Sequence, residues 1–187
     1  MPVDPSAVKT WANLVTVARL MIAPFMFVLI PDHPGGSWPA FALWFLLCCT
    51  DGIDGYLARR HGATTVGAFL DPLADKVLVL GAMYSLVFIG RFWWFPVAVL
   101  AVREVMITVY RSQWGRRGVA VPARPTAKVK TALQSVAVGL AVVPVFADIW
   151  WPADIVLWAS VVMAVVSAGQ YALDGRRALT TLGSHSH

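Results

Sequence analysis

The stretch "CTDGIDGYLARRHGATTVGAFLDPLADK", residues 49–76, places four aspartates inside a strongly apolar chain. The acids are Asp51, Asp54, Asp71 and Asp75. Hydrophobic residues make up 58% of the 187 residues and charged residues only 13%, against about 25% charged in typical soluble domains. The composition favours a membrane protein, and acids within membrane segments are costly enough to indicate a function.

Six apolar segments follow one another along the chain, at 13–30, 38–57, 69–89, 92–110, 131–149 and 155–172. A spanning helix needs roughly 20 mostly apolar residues, so each segment is a candidate span. We predict an all-α integral membrane protein. It has an N-terminal interfacial segment at 1–12, a six-helix membrane catalytic domain at 13–177 and a C-terminal tail at 178–187.

The basic residues outside the apolar segments collect on one side of the predicted membrane. That side holds Lys9, Arg59, Arg60, Arg111, Arg116, Arg117, Arg124, Lys128, Lys130, Arg176 and Arg177. The three links on the other side contain only Arg91. The positive-inside rule therefore predicts that both termini and the aspartates face the cytoplasm. No basic soluble domain is evident, so nucleic acid is not an expected partner.

Helical spacing predicts that the four acids converge. Asp51 and Asp54 are three residues apart on the second helix, and Asp71 and Asp75 are four apart on the third. The link at 60–66 is short, so the two helices are antiparallel neighbours. Their carboxylates then meet near the cytoplasmic surface.

A cluster of carboxylate oxygens suits a hard divalent cation, Mg²⁺ or Mn²⁺. Two ions roughly neutralise four carboxylates, and two-metal centres are common in displacement at phosphorus. Gly55, Ala58 and Gly67 leave a bare groove beside the acids where a bulky ligand can approach the backbone. The alternative interpretation is a structural ion network between the acids and Arg59, Arg60 and Lys76.

The motif "DGIDGYLAR", followed by "GAFLDPLAD", resembles the signature of the CDP-alcohol phosphatidyltransferase family. The resemblance implies a bundle of six transmembrane helices and transfer of a phosphatidyl group from CDP-diacylglycerol to an alcohol, with release of CMP. It also implies a homodimer in the membrane, here a bacterial cell membrane.

Residue roles follow from the resemblance, position by position. Asp51, Asp54 and Asp71 hold the metals, and Asp75 is the general base on the alcohol while also touching a metal. The CDP-lipid part is bound by Asp51, Gly55, Ala58, Arg59 and Gly67.

Basic residues after the motif predict an anionic acceptor. Arg103 and Arg111 lie nearly on one face of the fourth helix, and Lys128 and Lys130 open the fifth. We expect these four residues to bind an acceptor phosphate. We do not expect Arg103 to pair with Glu104, since adjacent helix residues point in different directions.

The same residues resemble the phosphatidylglycerophosphate synthase branch of the family, whose acceptor is glycerol 3-phosphate. Phosphatidylglycerol, as in cardiolipin synthesis, and inositol phosphate are the alternative acceptors. A divalent-cation transporter is an alternative of a different class, because acids in membrane helices often mark ion pathways. The clustering of the acids near one surface argues against it.

Replacement of Asp75 by asparagine tests the assigned base. Asp75→Asn keeps the shape of the side chain but removes the group that accepts the hydroxyl proton. We expect turnover to be abolished while much of the CDP-lipid binding remains, measured as CMP release and as CDP-diacylglycerol binding. Full activity in the variant would remove Asp75 from this role.

Overall fold

The computed structural model describes residues 18, 21–22, 24–61, 65–116 and 125–184, with side chains at 18, 21–22, 24–50, 75–113 and 125–171. A helical stretch at 24–29 is labelled α1. The long helices are α2 (Trp38–His61), α3 (Thr65–Phe88), α4 (Trp94–Arg116), α5 (Pro125–Val142) and α6 (Trp151–Ser184). Pro144–Phe146 form a short 3₁₀ helix. These residues contain no strand, so the prediction of an all-helical chain is confirmed.

The helices differ in length from the apolar segments because hydropathy and helix propensity end at different residues. α2 continues to His61 and α3 begins at Thr65, so both helices take in residues assigned to the link, and Gly67 lies inside α3. α5 ends at Val142, shortly before Pro144, whose ring is incompatible with a helix interior. α6 continues through charged residues to Ser184. The predicted interfacial segment at 1–12 lies outside the described residues.

Contacts between helix ends define the topology of the bundle. The backbone N–H of Ser37, just before α2, donates to the carbonyl oxygen of Val142 at the end of α5, at 2.8 Å. The rings of Trp93 and Trp158 are 6.2 Å apart, which joins the start of α4 to α6. Therefore α2, α4 and α6 begin at the same end of the bundle, where α3 and α5 finish. We call it the tryptophan end, after the exposed side chains of Trp38, Trp93, Trp94, Trp150 and Trp151.

The outer surface of the described part of the bundle carries many large apolar side chains. Met83, Leu100 and Val138 are completely buried between the helices. On the outside, however, 91% of Phe88 and 81% of Val28 are exposed. Water-soluble monomers rarely expose apolar surface on this scale, so the exterior suits lipid.

Helix length and composition identify one clear candidate span among the described residues. Trp151–Tyr171 in α6 is long and apolar enough to cross a membrane, and Trp38–Thr50 is a shorter apolar stretch. α4 and α5 carry charged residues within their apolar sequence. The crossing of all six segments therefore stays a prediction.

Arg91 holds helices together at the tryptophan end, with its side chain inside the bundle. Its side chain is fully buried and lies 4.0 Å from the carboxylate of Asp154. Its guanidinium carbon lies 5.7 Å from the ring centre of Trp150 and 5.9 Å from that of Phe92, distances at which cation–π attraction operates. Burial lowers the pKa of Arg91, and the negative charge of Asp154 opposes that shift. Arg91 therefore joins the α3–α4 link to α6 and presents no charge to the surface.

Two glycines with positive φ offer a matched test of how the turn before α2 packs against the end of α5. Gly36 has φ +73° and Gly90 has φ +74°, so alanine costs about 1–2 kcal/mol at either position. A Cβ at Gly36 would also lie 2.6 Å from the carbonyl oxygen of Val142, whereas at Gly90 it meets nothing within 4 Å. We expect Gly36→Ala to lower the unfolding midpoint in detergent micelles clearly more than Gly90→Ala does. Equal midpoints would contradict the seating of this turn on α5.

Candidate active site

Asp75 lines a cavity of about 280 Å³ where α2, α3 and α5 meet. Cys48 of α2 and the residues Thr131 and Ser135 of α5 line the same cavity, and its other walls are Leu47, Leu78, Val79 and Ala132. The cavity thus combines a carboxylate, two hydroxyl-bearing side chains and a thiol-bearing one with an apolar lining. Such a combination suits a reacting group attached to an apolar molecule.

A second cavity, of about 420 Å³, lies between α2 and α5 and is almost wholly apolar. Cys48 and Ser135 line both cavities, so the two are neighbours. The indole N–H of Trp44 donates to the backbone oxygen of Ser135 at 3.0 Å and holds the two helices together beside them. An apolar compartment therefore adjoins the cavity that contains Asp75.

Glu104 of α4 is buried and lies at the centre of a group of charges. Its Oε1 accepts hydrogen bonds from Lys130 of α5 and from the Nη1 of Arg103, the latter at 2.9 Å. Its Oε2 lies 3.5 Å from the Nζ of Lys76, the residue after Asp75 in α3. We call Lys76, Arg103, Lys130 and Glu104 the cation cluster. It joins three helices next to the cavity of Asp75.

Further hydrogen bonds connect the cation cluster to α6 and to the backbone of α4. The Nη2 of Arg103 donates to the Oγ of Ser167 at 2.6 Å. The Nζ of Lys76 donates to the Oγ1 of Thr108 at 2.6 Å, and that hydroxyl donates to the backbone oxygen of Glu104. Each charged side chain of the cluster is therefore held by at least one other group.

The expectation that Arg103 and Glu104 do not pair is wrong. The two side chains do leave α4 in different directions, since Arg103 also reaches Ser167 of α6 and Glu104 reaches Lys130 of α5. The arginine side chain is long enough for its guanidinium to contact both neighbours. Lys130 is buried as well, with its side chain only 3% exposed.

The cation cluster combines three basic side chains with one acidic side chain. The Nε of Arg103 and the Nε2 of Gln134, one turn beyond Lys130 in α5, are buried without a hydrogen-bond partner in the described residues. Buried donors without a partner, beside basic side chains, are features that an anionic ligand can use.

The other predicted site residues fall into two groups. Arg111 and Lys128 are exposed, unlike Arg103 and Lys130, so the four predicted acceptor residues do not share one environment. The positions of Asp51, Asp54, Gly55, Ala58 and Arg59 lie within α2, and those of Gly67 and Asp71 within α3. Their side chains lie outside the described part of the chain, so the predicted metal and CDP-lipid contacts stay predictions.

Comparison with known proteins gives a match to the CDP-alcohol phosphatidyltransferase family over residues 9–166. The chain belongs to this family. It is 37% identical over 178 residues to a probable phosphatidylglycerophosphate synthase of Mycobacterium tuberculosis, covering 92% of this chain and 83% of that protein. It is 40% identical over 134 residues to a CDP-diacylglycerol–glycerol-3-phosphate 3-phosphatidyltransferase of Escherichia coli, covering 67% of this chain and 72% of that protein.

Glu104 is the site residue that sequence reasoning missed. It is the single glutamate of the chain and lies in the middle of an apolar segment, beside an arginine. Basic residues within membrane segments need a counter-charge. The presence of this glutamate in an apolar segment therefore indicates that it pairs with basic side chains.

Two serines of α6 provide a matched test of the contact with Arg103. The Oγ of Ser160 and the Oγ of Ser167 each donate to a carbonyl of their own helix, but only Ser167 also accepts from Arg103. Ser167→Ala leaves a buried charged donor unpaired, which costs about 2 kcal/mol. We expect a lower unfolding midpoint in detergent for Ser167→Ala than for Ser160→Ala. A lower midpoint for Ser160→Ala than for Ser167→Ala would show that the contact between Arg103 and Ser167 is not stabilising.

Proposed function

We propose that this chain transfers the phosphatidyl group of CDP-diacylglycerol to glycerol 3-phosphate and releases CMP. The hydroxyl oxygen of the acceptor forms a bond to the phosphorus next to the lipid, and the bond from that phosphorus to the oxygen of CMP breaks. Asp75 takes the hydroxyl proton. The product is phosphatidylglycerophosphate. Both relatives described above carry names that state this activity or its product.

The observation that carries the choice of acceptor is the net positive charge of the cation cluster beside Asp75. Lys76 follows Asp75 directly in α3, and Lys130 directly precedes Thr131, which lines the cavity of Asp75. A phosphate monoester carries close to two negative charges at neutral pH and several strong acceptor oxygens. It therefore suits a cluster with more basic than acidic side chains, and it suits the Nε of Arg103, which has no hydrogen-bond partner in the described part of the chain. We propose that Arg103 and Lys130 bind this phosphate, and that the exposed Arg111 and Lys128 attract it from the aqueous side.

The neighbouring cavities support a lipid donor. The apolar compartment between α2 and α5 shares Cys48 and Ser135 with the cavity of Asp75, so an acyl chain and a reacting phosphate fit side by side. Position 51 lies one turn beyond Cys48 in α2. We propose that the CDP part is bound there, by Asp51, Gly55, Ala58 and Arg59 with Gly67.

Divalent cations complete the proposed site. Asp75 shares its cavity with the hydroxyl-bearing Thr131 and Ser135, hard oxygen donors of the type that Mg²⁺ and Mn²⁺ prefer. We propose that Asp51, Asp54, Asp71 and Asp75 hold two such ions. When bound, they supply positive charge that offsets the charge of the pyrophosphate.

We propose that all six helical segments span a bacterial cell membrane, with both termini and the active site on the cytoplasmic side. The exposed tryptophans at one end of the bundle fit the opposite interface, where aromatic belts lie. Arg91, the single basic residue in the links at that end, is buried. A homodimer is the assembly that the family resemblance implies.

An acceptor comparison tests the proposal. The purified protein receives CDP-diacylglycerol and Mg²⁺ with glycerol 3-phosphate, inositol phosphate, phosphatidylglycerol or serine, and CMP is measured. We expect CMP release with glycerol 3-phosphate alone, and its loss when the metal is chelated. If phosphatidylglycerol or inositol phosphate gave more CMP, the reaction type of the family would stand and glycerol 3-phosphate would not be the acceptor. Cation flux without any CMP release would favour a transporter.

A further inference from the structure

Glu104 is the shared partner of every basic side chain in the cation cluster. It accepts from Arg103 and Lys130 through one oxygen and lies 3.5 Å from Lys76 through the other. The side chains of Glu104, Arg103 and Lys130 are buried, whereas that of Lys76 is 33% exposed, so the contacts with Arg103 and Lys130 are made away from water. Because its partners come from α3, α4 and α5, one carboxylate sets the relative positions of charges on three helices.

The basic side chains do not keep this arrangement without the carboxylate. Three positive charges a few ångströms apart repel one another strongly where the effective dielectric constant is low. A buried lysine can lose its proton, and a long basic side chain can turn toward the lipid headgroups. Glutamine at position 104 has the same shape, but it has no charge and presents an NH₂ group that cannot accept a hydrogen bond.

We infer that Glu104 is a positioning residue for the acceptor. It holds Arg103 and Lys130 where the acceptor phosphate binds, and so places the acceptor hydroxyl beside Asp75. Glu104 has no role toward the CDP-lipid, which lies on the side of α2. This inference rests on the proposed function, since it assigns a task to the same phosphate site.

The inference predicts a selective effect on the acceptor. In Glu104→Gln we expect the KM for glycerol 3-phosphate to rise about tenfold or more, the size of effect that follows loss of a charge-assisted hydrogen bond. We expect the KM for CDP-diacylglycerol to stay within about twofold of the wild-type value. Glu104→Asp keeps the charge on a shorter side chain. Its KM for glycerol 3-phosphate should lie between those of the wild type and Glu104→Gln, and its KM for CDP-diacylglycerol should not change.

A second readout separates positioning from a merely structural role. Glycerol 3-phosphate should raise the unfolding midpoint of the wild-type protein in detergent, because a ligand stabilises the folded state that binds it. The shift at equal concentration should be smaller in Glu104→Gln and partly restored in Glu104→Asp. A structural role would lower the starting midpoint and the active fraction while leaving the ratio of the two KM values unchanged.

Two results would overturn the inference. One is an unchanged ratio of the two KM values in Glu104→Gln, whether both stay constant or both rise equally. The other is a fall in the KM for glycerol 3-phosphate, which would mean that Glu104 only screens the cations. If Glu104→Gln does not fold, the KM ratio of Glu104→Asp decides in the same way. Failure of the proposed function is distinct, since wild-type protein would then release no CMP with glycerol 3-phosphate.

Discussion

A carboxylate shared by three basic side chains is the interaction on which the interior of this bundle depends. Glu104 allows Lys76, Arg103 and Lys130 to lie close together in a setting where any of them alone would be costly. Removing one member of a buried charge group leaves the others uncompensated, so the members stabilise the fold as a set. The contact of Arg103 with Ser167 extends this group to α6, so that four helices are tied together through polar contacts.

The position of the cation cluster explains how one small chain can handle two dissimilar substrates. The apolar cavity between α2 and α5 adjoins the cavity of Asp75, and the cation cluster includes Lys76, the residue that follows Asp75 in α3. In the reaction proposed above, the apolar cavity takes the lipid and the basic side chains take the charged, water-soluble acceptor. This arrangement requires that the side chains of the cation cluster keep their positions, because a basic side chain that moved into the apolar cavity would block the lipid.

The sequence predicted the helices well because the two relevant signals are local. Apolar segments of spanning length mark the helices, and the spacing of the aspartates is helical in both α2 and α3. Helix ends were less predictable, since hydropathy falls at charged residues that continue a helix, as in α6, and Pro144 ends α5 within an apolar segment. Partners across the bundle were not predictable from spacing alone. Adjacent positions in α4 argued against a contact between Arg103 and Glu104, but arginine is long enough to make one.

The burial of Arg91 bears on how the protein is assembled. In a chain that crosses the membrane as proposed, this residue reaches the far side with the hairpin of α3 and α4, whereas Asp154 arrives only with α6, which is synthesised after them. Until α6 inserts, the guanidinium lacks the carboxylate and the indole of Trp150 that enclose it. Docking of α6 thus encloses Arg91, and a chain truncated before that helix would retain a charge without its carboxylate partner.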